Sequence, residues 1–276
     1  MLKKTMISVF LVTALLFSGC VSGIGLGISQ EEVKEWMGHY YENPQPERTP
    51  EMIMALLESQ TLVSVESGVP YSIFLGEVFS QNKESIDQWV NVDLKEVTGA
   101  NNTLIWRILW MSQTPEADAI LSSYDSILHA DYYDYMRAIK DGSPEDLLTI
   151  EIQDTIDIDM LWAKFLATGD TAYLARLIEV LPRKIENQDL YDARLMEVET
   201  AAGEELRELT EEEQHKFASY GLGQAAYALL AYNAKDHTRI HEFLEQEKTK
   251  HSPEINALLE QALNEEIKSP DEHDES

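Results

Sequence analysis

This chain has one cysteine, little positive charge and no apolar run long enough to span a bilayer. Among its 276 residues Cys20 stands alone, so no intramolecular disulfide can form. Lys and Arg number 21 against 50 Asp and Glu, a formal net charge of −29. Neutralising a phosphate backbone needs Lys and Arg, so nucleic acid is excluded as a partner. The longest apolar stretch, Met6–Phe17, is interrupted by Ser8 and Thr13 and falls short of the roughly 20 residues a membrane helix needs. Alternating apolar and polar residues are rare, which argues against strands. The motifs G-x-S-x-G and H-E-x-x-H are missing, and Ser67-Gly68 lacks the context of a nucleophile elbow. No cofactor is expected.

What is present begins with an address. Lys3 and Lys4 precede the apolar run, and the small residues Ser18 and Gly19 then lead to Cys20. The charge, the short run and the small residues have the form of a signal peptide. Over these 20 residues the chain resembles a bacterial lipoprotein signal, with Phe17 where that family usually carries an aliphatic residue and Leu16 one place earlier. The resemblance implies cleavage after residue 19 and lipid on Cys20, which becomes the first residue of the mature protein. It also implies that Val21, where Asp would hold the protein in the inner membrane, sends it to the outer membrane facing the periplasm. The alternative is an ordinary secretory signal that contains a cysteine. Loss of residues 1–19 removes Lys3 and Lys4, leaving 19 basic and 50 acidic residues and a formal charge of −31. A surface of that sign is repelled by anionic lipid, so the acyl chains must anchor the protein.

The segment 20–28 reads as a lipidated, glycine-containing tether, and 266–276 as an acidic disordered tail. The stretch 29–265 between them reads as one helical domain. Helix starts are marked four times by Ser or Thr followed by Pro and Glu, at Thr49, Thr114, Ser143 and Ser252. The hydroxyl accepts from a free N–H, proline fits the first helical position, and glutamate suits the positive end of the helix dipole. Ser29 with Glu32 predicts a capping box. Apolar residues recur at helical spacing in 52–57, 103–111 and 172–181. The run Leu148–Ile152 alternates, and we read it as the end of one helix and a connection to the next.

A faint internal repeat relates three segments. Phe74–Val90, Trp162–Ile178 and Ala228–Leu244 align so that Ile86, Leu174 and Ile240 coincide, as do Trp89, Leu177 and Phe243. Asn82, Asp170 and Asp236 fall at a shared place, predicted to cap the second helix of each segment. Trp110–Leu121 is a looser fourth copy. The predicted fold is all-α, with roughly ten to thirteen helices stacked as antiparallel hairpins, an irregular α-solenoid being one form of that stacking. Met160–Leu181 resembles segments of uncharacterised, tetratricopeptide-like bacterial proteins, which implies no activity.

Four constellations bear on chemistry. Gly221-Leu222-Gly223-Gln224-Ala225-Ala226 fits a dinucleotide fingerprint but follows a charged, helix-like segment, so close helix packing is the favoured reading. His237, His241 and Glu245 step along one predicted helix at a spacing that can hold a metal, although Ile240, Phe243 and Leu244 define its buried face. Asp154, Asp157 and Asp159 precede a helix and suit capping better than calcium. Tyr40, Tyr41, Tyr132, Tyr133 and Tyr135 could line an aromatic groove for a peptide or sugar, or pack between helices. The five tryptophans belong to apolar faces. The expected function is a membrane-anchored, periplasm-facing scaffold that binds another envelope protein or a peptide. The alternatives are a cell-wall enzyme using carboxylates and a lipoprotein binding a small ligand or metal.

Overall fold

A computed structural model describes residues 28–58, 68–95, 102–124, 146–200 and 206–264. Cys20, most of the tether, the acidic tail, Ser143 and Tyr132, Tyr133 and Tyr135 lie outside these residues. The described chain is all-α, and no strand occurs in it. No helix among the described residues is long and apolar enough to cross a membrane. The chain divides into two compact units. The N-terminal unit takes described residues up to 151 together with 159–173, and the C-terminal unit takes 152–158 and everything from 174 onward.

The N-terminal unit contains α1 (Gln30–Gly38), α2 (Thr49–Glu58), α3 (Val69–Gln81), a short turn α4 (Ile86–Gln88) running into a π-helical turn at Trp89–Asp93, α5 (Asn102–Ser112), α6 (Pro115–Tyr124) and most of α7 (Thr155–Thr168). Its centre is α3, where nine of thirteen residues are buried, among them Tyr71, Ile73, Phe74, Leu75, Val78 and Phe79. A helix apolar on nearly every side must be surrounded, and α3 packs chiefly on α5. The approach is close at Gly76, where a Cβ would lie 2.6 Å from the Met111 Cβ. Phe74, Trp36 and Tyr40 meet edge to face, with centroids 5.3–5.5 Å apart, the geometry that the ring quadrupole favours. Trp36, Trp89, Trp106 and Trp162 are buried as expected, and Trp110 is half-buried. α7 ends at Gly169, whose φ of 67° suits a residue without Cβ and closes the Thr168-Gly169-Asp170 turn.

The C-terminal unit contains most of α8 (Ala172–Ile178) and the whole of α9 (Pro182–Glu186), α10 (Gln188–Thr200), α11 (Glu211–Asp236), α12 (Thr238–Glu247) and α13 (Pro253–Asn264). α11 is its axis and packs against α9, α10, α12 and α13. The side chains that face these neighbours are largely small: Gly223, Ala225, Ala226, Ala231 and Ala234 are all buried. The glycine-rich fingerprint therefore lies inside a helix, and no strand precedes it. A Cβ at Gly223 would come within 2.3 Å of the Lys184 backbone nitrogen on α9, so close helix packing accounts for this motif.

The helix starts divide into those that local sequence fixes and those it does not. Thr114 caps α6, accepting from the Ala117 N–H at 3.2 Å, and Ser252 caps α13, accepting from Ile255 at 3.4 Å. Asp170 caps α8 through the Ala172 N–H at 2.9 Å. Ser29 accepts from the Glu32 N–H at 3.1 Å, but the Glu32 carboxylate pairs with Arg48, so only half of the predicted capping box forms. Three expectations fail. Thr49 is itself helical (φ −53°, ψ −46°), because a 3-10 turn at Pro46–Arg48 runs into α2 and turns the hydroxyl into the core. Asn82 closes α3, its amide donating to the Val78 carbonyl at 2.8 Å, and does not cap the next helix. Asp236 is the last residue of α11, and His237 takes the junction before α12 without a side-chain cap. The apolar places of the repeat are buried in all three segments: Ile86, Leu174 and Ile240, and Trp89, Leu177 and Phe243. Residues 150–153 form the predicted irregular connection, but 147–149 before it are a turn and not the end of a helix.

Candidate binding face

Of the groove tyrosines only Tyr40 and Tyr41 lie among the described residues, and their environments differ. Tyr40 is 1 % exposed and packs in the aromatic cluster beside α3, so it cannot line an open groove. Burial raises its phenol pKa above the ordinary value. Tyr41 is half-buried, with its ring 4.9 Å from Phe165 and its hydroxyl donating to Glu42 at 2.9 Å. His237 is buried at the α11–α12 junction, whereas His241 and Glu245 are exposed on α12. Helix α12 begins one residue after His237, so the three do not form the single-helix ladder that their spacing suggested. Glu245 pairs instead with Lys248 at 2.7 Å. Asp154 and Asp157 cap α7 reciprocally. Asp154 Oδ1 accepts from Ile156 and Asp157 at 2.8 and 3.2 Å, and Asp157 Oδ2 accepts from Gln153 and Asp154 at 2.7 and 3.1 Å. Their oxygens are occupied by backbone donors, which supports the capping reading.

Within the N-terminal unit a polar cluster ties α3 to α7. Glu77 pairs with Lys164, and Gln81 donates both to Glu77 and to the Ala167 carbonyl at 3.2 Å. The Tyr173 phenol is raised, first by burial and then by Glu77, Asp170 and Asp146. Cross-helix pairs of this kind help fix the packing of two helices.

The C-terminal unit holds a feature that the sequence did not announce. Helix α10 is pinned to α11 along one side. Tyr191 stacks on Tyr220 at 4.2 Å and on Phe217 at 5.6 Å. Lys184, seated over Gly223, places its ammonium 5.5 and 5.4 Å from the Tyr220 and Tyr227 rings. Arg194 is only 1 % exposed; it donates to the Arg207 carbonyl at 2.9 Å and pairs with Glu197 at 2.5 Å. Arg207 grips Glu213 through two bonds of 2.8 Å, and Glu213 completes a capping box with Thr210 at the start of α11. Bonding to Arg207, and next to the Thr210 backbone, draws the Glu213 carboxyl down to about 2. Bonding to Arg194 lowers Glu197. Among the described residues the carboxylates that leave their ordinary range (Glu197, Glu212, Glu213, Glu247 and Glu254) all move down. A general acid needs the opposite shift.

The exposed part of this helix carries large apolar side chains among its polar ones. Leu195, Met196 and Val198 are 41 %, 65 % and 37 % exposed, three of the five large apolar side chains that stand out among the described residues. Single exposed apolar residues are ordinary; three within four positions are a local concentration, spread over about 160° of the helix circumference. The sequence signal is weak, because Gln188–Thr200 has no clear apolar periodicity and gives no hint of which face is covered. No family model, curated protein or solved structure matches this chain.

Proposed function

We propose that this chain is a lipoprotein, held to the cell envelope by lipid on Cys20, whose helical body binds another envelope protein or a peptide. Val21 supports an outer-membrane position facing the periplasm. The observation that carries the binding role is that Leu195, Met196 and Val198, three of the five large apolar side chains exposed among the described residues, fall within four positions of α10, a helix tied down by Arg194 and Tyr191. A rigid helix presenting apolar side chains loses little conformational freedom when a partner covers them.

Crosslinking and pull-down from intact cells, comparing the lipidated protein with a soluble form carrying another signal, tests this reading. One dominant stoichiometric partner captured by both forms is the expected result. No partner with either form would overturn the binding role. The anchor is tested separately: Cys20→Ser is expected to abolish palmitate labelling and release the protein from membranes, and a membrane-bound mutant would refute lipidation.

A further inference from the structure

Sulfur chemistry in this chain falls to methionine. Cys20 is the one cysteine, and under the lipoprotein reading its sulfur carries lipid, which leaves no free thiol. Of the nine methionines, Met1 and Met6 belong to the segment that the signal reading removes, and Met136 lies outside the described residues. Met37 and Met52 are buried, at 5 % and 0 % exposure, and Met54, Met111 and Met160 are half-buried. Met111 also sits where α5 closes on Gly76. Met196 alone among the described methionines stands in solvent, 65 % exposed.

Its neighbours on α10 decide what an added oxygen would meet. Asp192, one turn before it, and Glu199, one turn after it, are exposed carboxylates, which only accept hydrogen bonds. The Thr200 hydroxyl already donates to the Met196 carbonyl at 2.7 Å. The remaining neighbour at this spacing is Ala193, which has no donor in its side chain. On this helix a sulfoxide oxygen would therefore be solvated by water.

Resting on the binding reading above, we infer that Met196 is an oxidation site for a peroxide, and that its sulfoxide weakens the hold of α10 on the partner. The sulfur lone pair bonds to one peroxide oxygen and the O–O bond breaks. The proton on the transferred oxygen goes to the departing hydroxide to give water. Sulfur is oxidised by two electrons and the peroxide is reduced. A flexible apolar side chain thus becomes polar in place, and reductases that act on methionine sulfoxide make the change reversible. A partner seated on Met196 strips water from the new oxygen, and no neighbouring α10 side chain replaces it.

The test treats the full lipidated protein with limiting hydrogen peroxide and follows each methionine by peptide mass spectrometry. Met196 is expected to gain its oxygen first, with Met37 and Met52 following only after unfolding in urea. Equal or earlier oxidation at Met37, Met52, Met54, Met111 or Met160 would overturn the site. Partner capture is then measured from intact cells. Oxidation of Met196 should lower capture about tenfold, the scale of one buried polar group left without a partner. Met196→Gln, polar without any oxidant, should show the same loss. Met196→Leu should keep capture and make it insensitive to peroxide. Thermal melting of both variants should match the parent, because the side chain is exposed. Capture that survives oxidation of Met196, or that peroxide abolishes equally in Met196→Leu, would overturn the inference and leave the binding role intact. Absence of any partner in the untreated pull-down removes the binding role and the switch with it, while the order of oxidation still decides the site.

Discussion

The two units solve the same packing problem with different side chains. In the N-terminal unit α3 is surrounded because its own residues are large and apolar, and Phe74 sits at the meeting point of two further rings. In the C-terminal unit α11 is twice as long, and its buried face is mostly alanine and glycine. Its neighbours approach closely, and polar devices fix its ends and flank: the Thr210–Glu213 capping box, the Arg207 grip and Lys184 between two tyrosines. Large side chains hold the first core by the apolar area they bury. Small ones hold the second by shape, since a gap or a clash of one methyl group is felt at once. The first core should therefore be more sensitive to removal of volume, and the second to its addition.

The largest effect should come from emptying the first core. Phe74→Ala is expected to cost about 3–5 kcal/mol, read by urea unfolding, with amide exchange accelerating in α3 and α5 more than in α11. Equal acceleration in both helices would deny that the two cores are separate. Adding volume should come next. Gly223→Ala drives a Cβ towards the Lys184 backbone at 2.3 Å, and Gly76→Ala drives one towards the Met111 Cβ at 2.6 Å. Each is expected to cost about 1–3 kcal/mol, Gly223→Ala more, because its obstacle is main chain. A thermal melt in which Gly223→Ala is stabilised would mean that helix propensity outweighs the close approach, and the shape argument would fail.

The polar devices should give smaller effects. Thr210→Ala removes one half of the capping box and is expected to cost about 1 kcal/mol, seen as faster amide exchange in the first turn of α11 with little change in α3. The clasp should also respond to acid. Glu213 is lowered from its ordinary 4.5 to about 2 in the folded protein. A carboxyl depressed by folding contributes its full stabilisation above the unfolded value and loses it as pH falls through the folded one. Protection of the α11 N-terminus should therefore decline between about pH 4.5 and 2. It should converge there with that of Glu213→Gln, and a constant difference across this window would contradict the assignment.

The sequence made some parts legible because the interaction concerned is local. Thr114, Ser252 and Asp170 cap helices because a side chain two or three residues from its N–H needs no distant partner. Ile86, Leu174 and Ile240 are buried because a helix with one apolar side must hide it. The same rules misplaced Thr49, Asn82 and Asp236, where a neighbouring turn or the end of the preceding helix took the position. The sequence left Tyr40 open between a groove and helix packing, because a pair of tyrosines says nothing about which ring faces Phe74.

The helical character, the capped starts, the acidic surface and the Cys20 signal pattern follow from residues close together along the chain, and the sequence determined them. Tertiary structure alone decided which helix became the axis of each unit, which glycines carry the close approaches, that Arg194 is buried, and that Leu195, Met196 and Val198 are left in solvent. The reason is physical: burial depends on what arrives from elsewhere in the chain, and the contacts that Tyr191 makes with α11 and Arg194 with the Arg207 carbonyl leave Leu195, Met196 and Val198 exposed, although Val198 lies within about 40° of both around the helix.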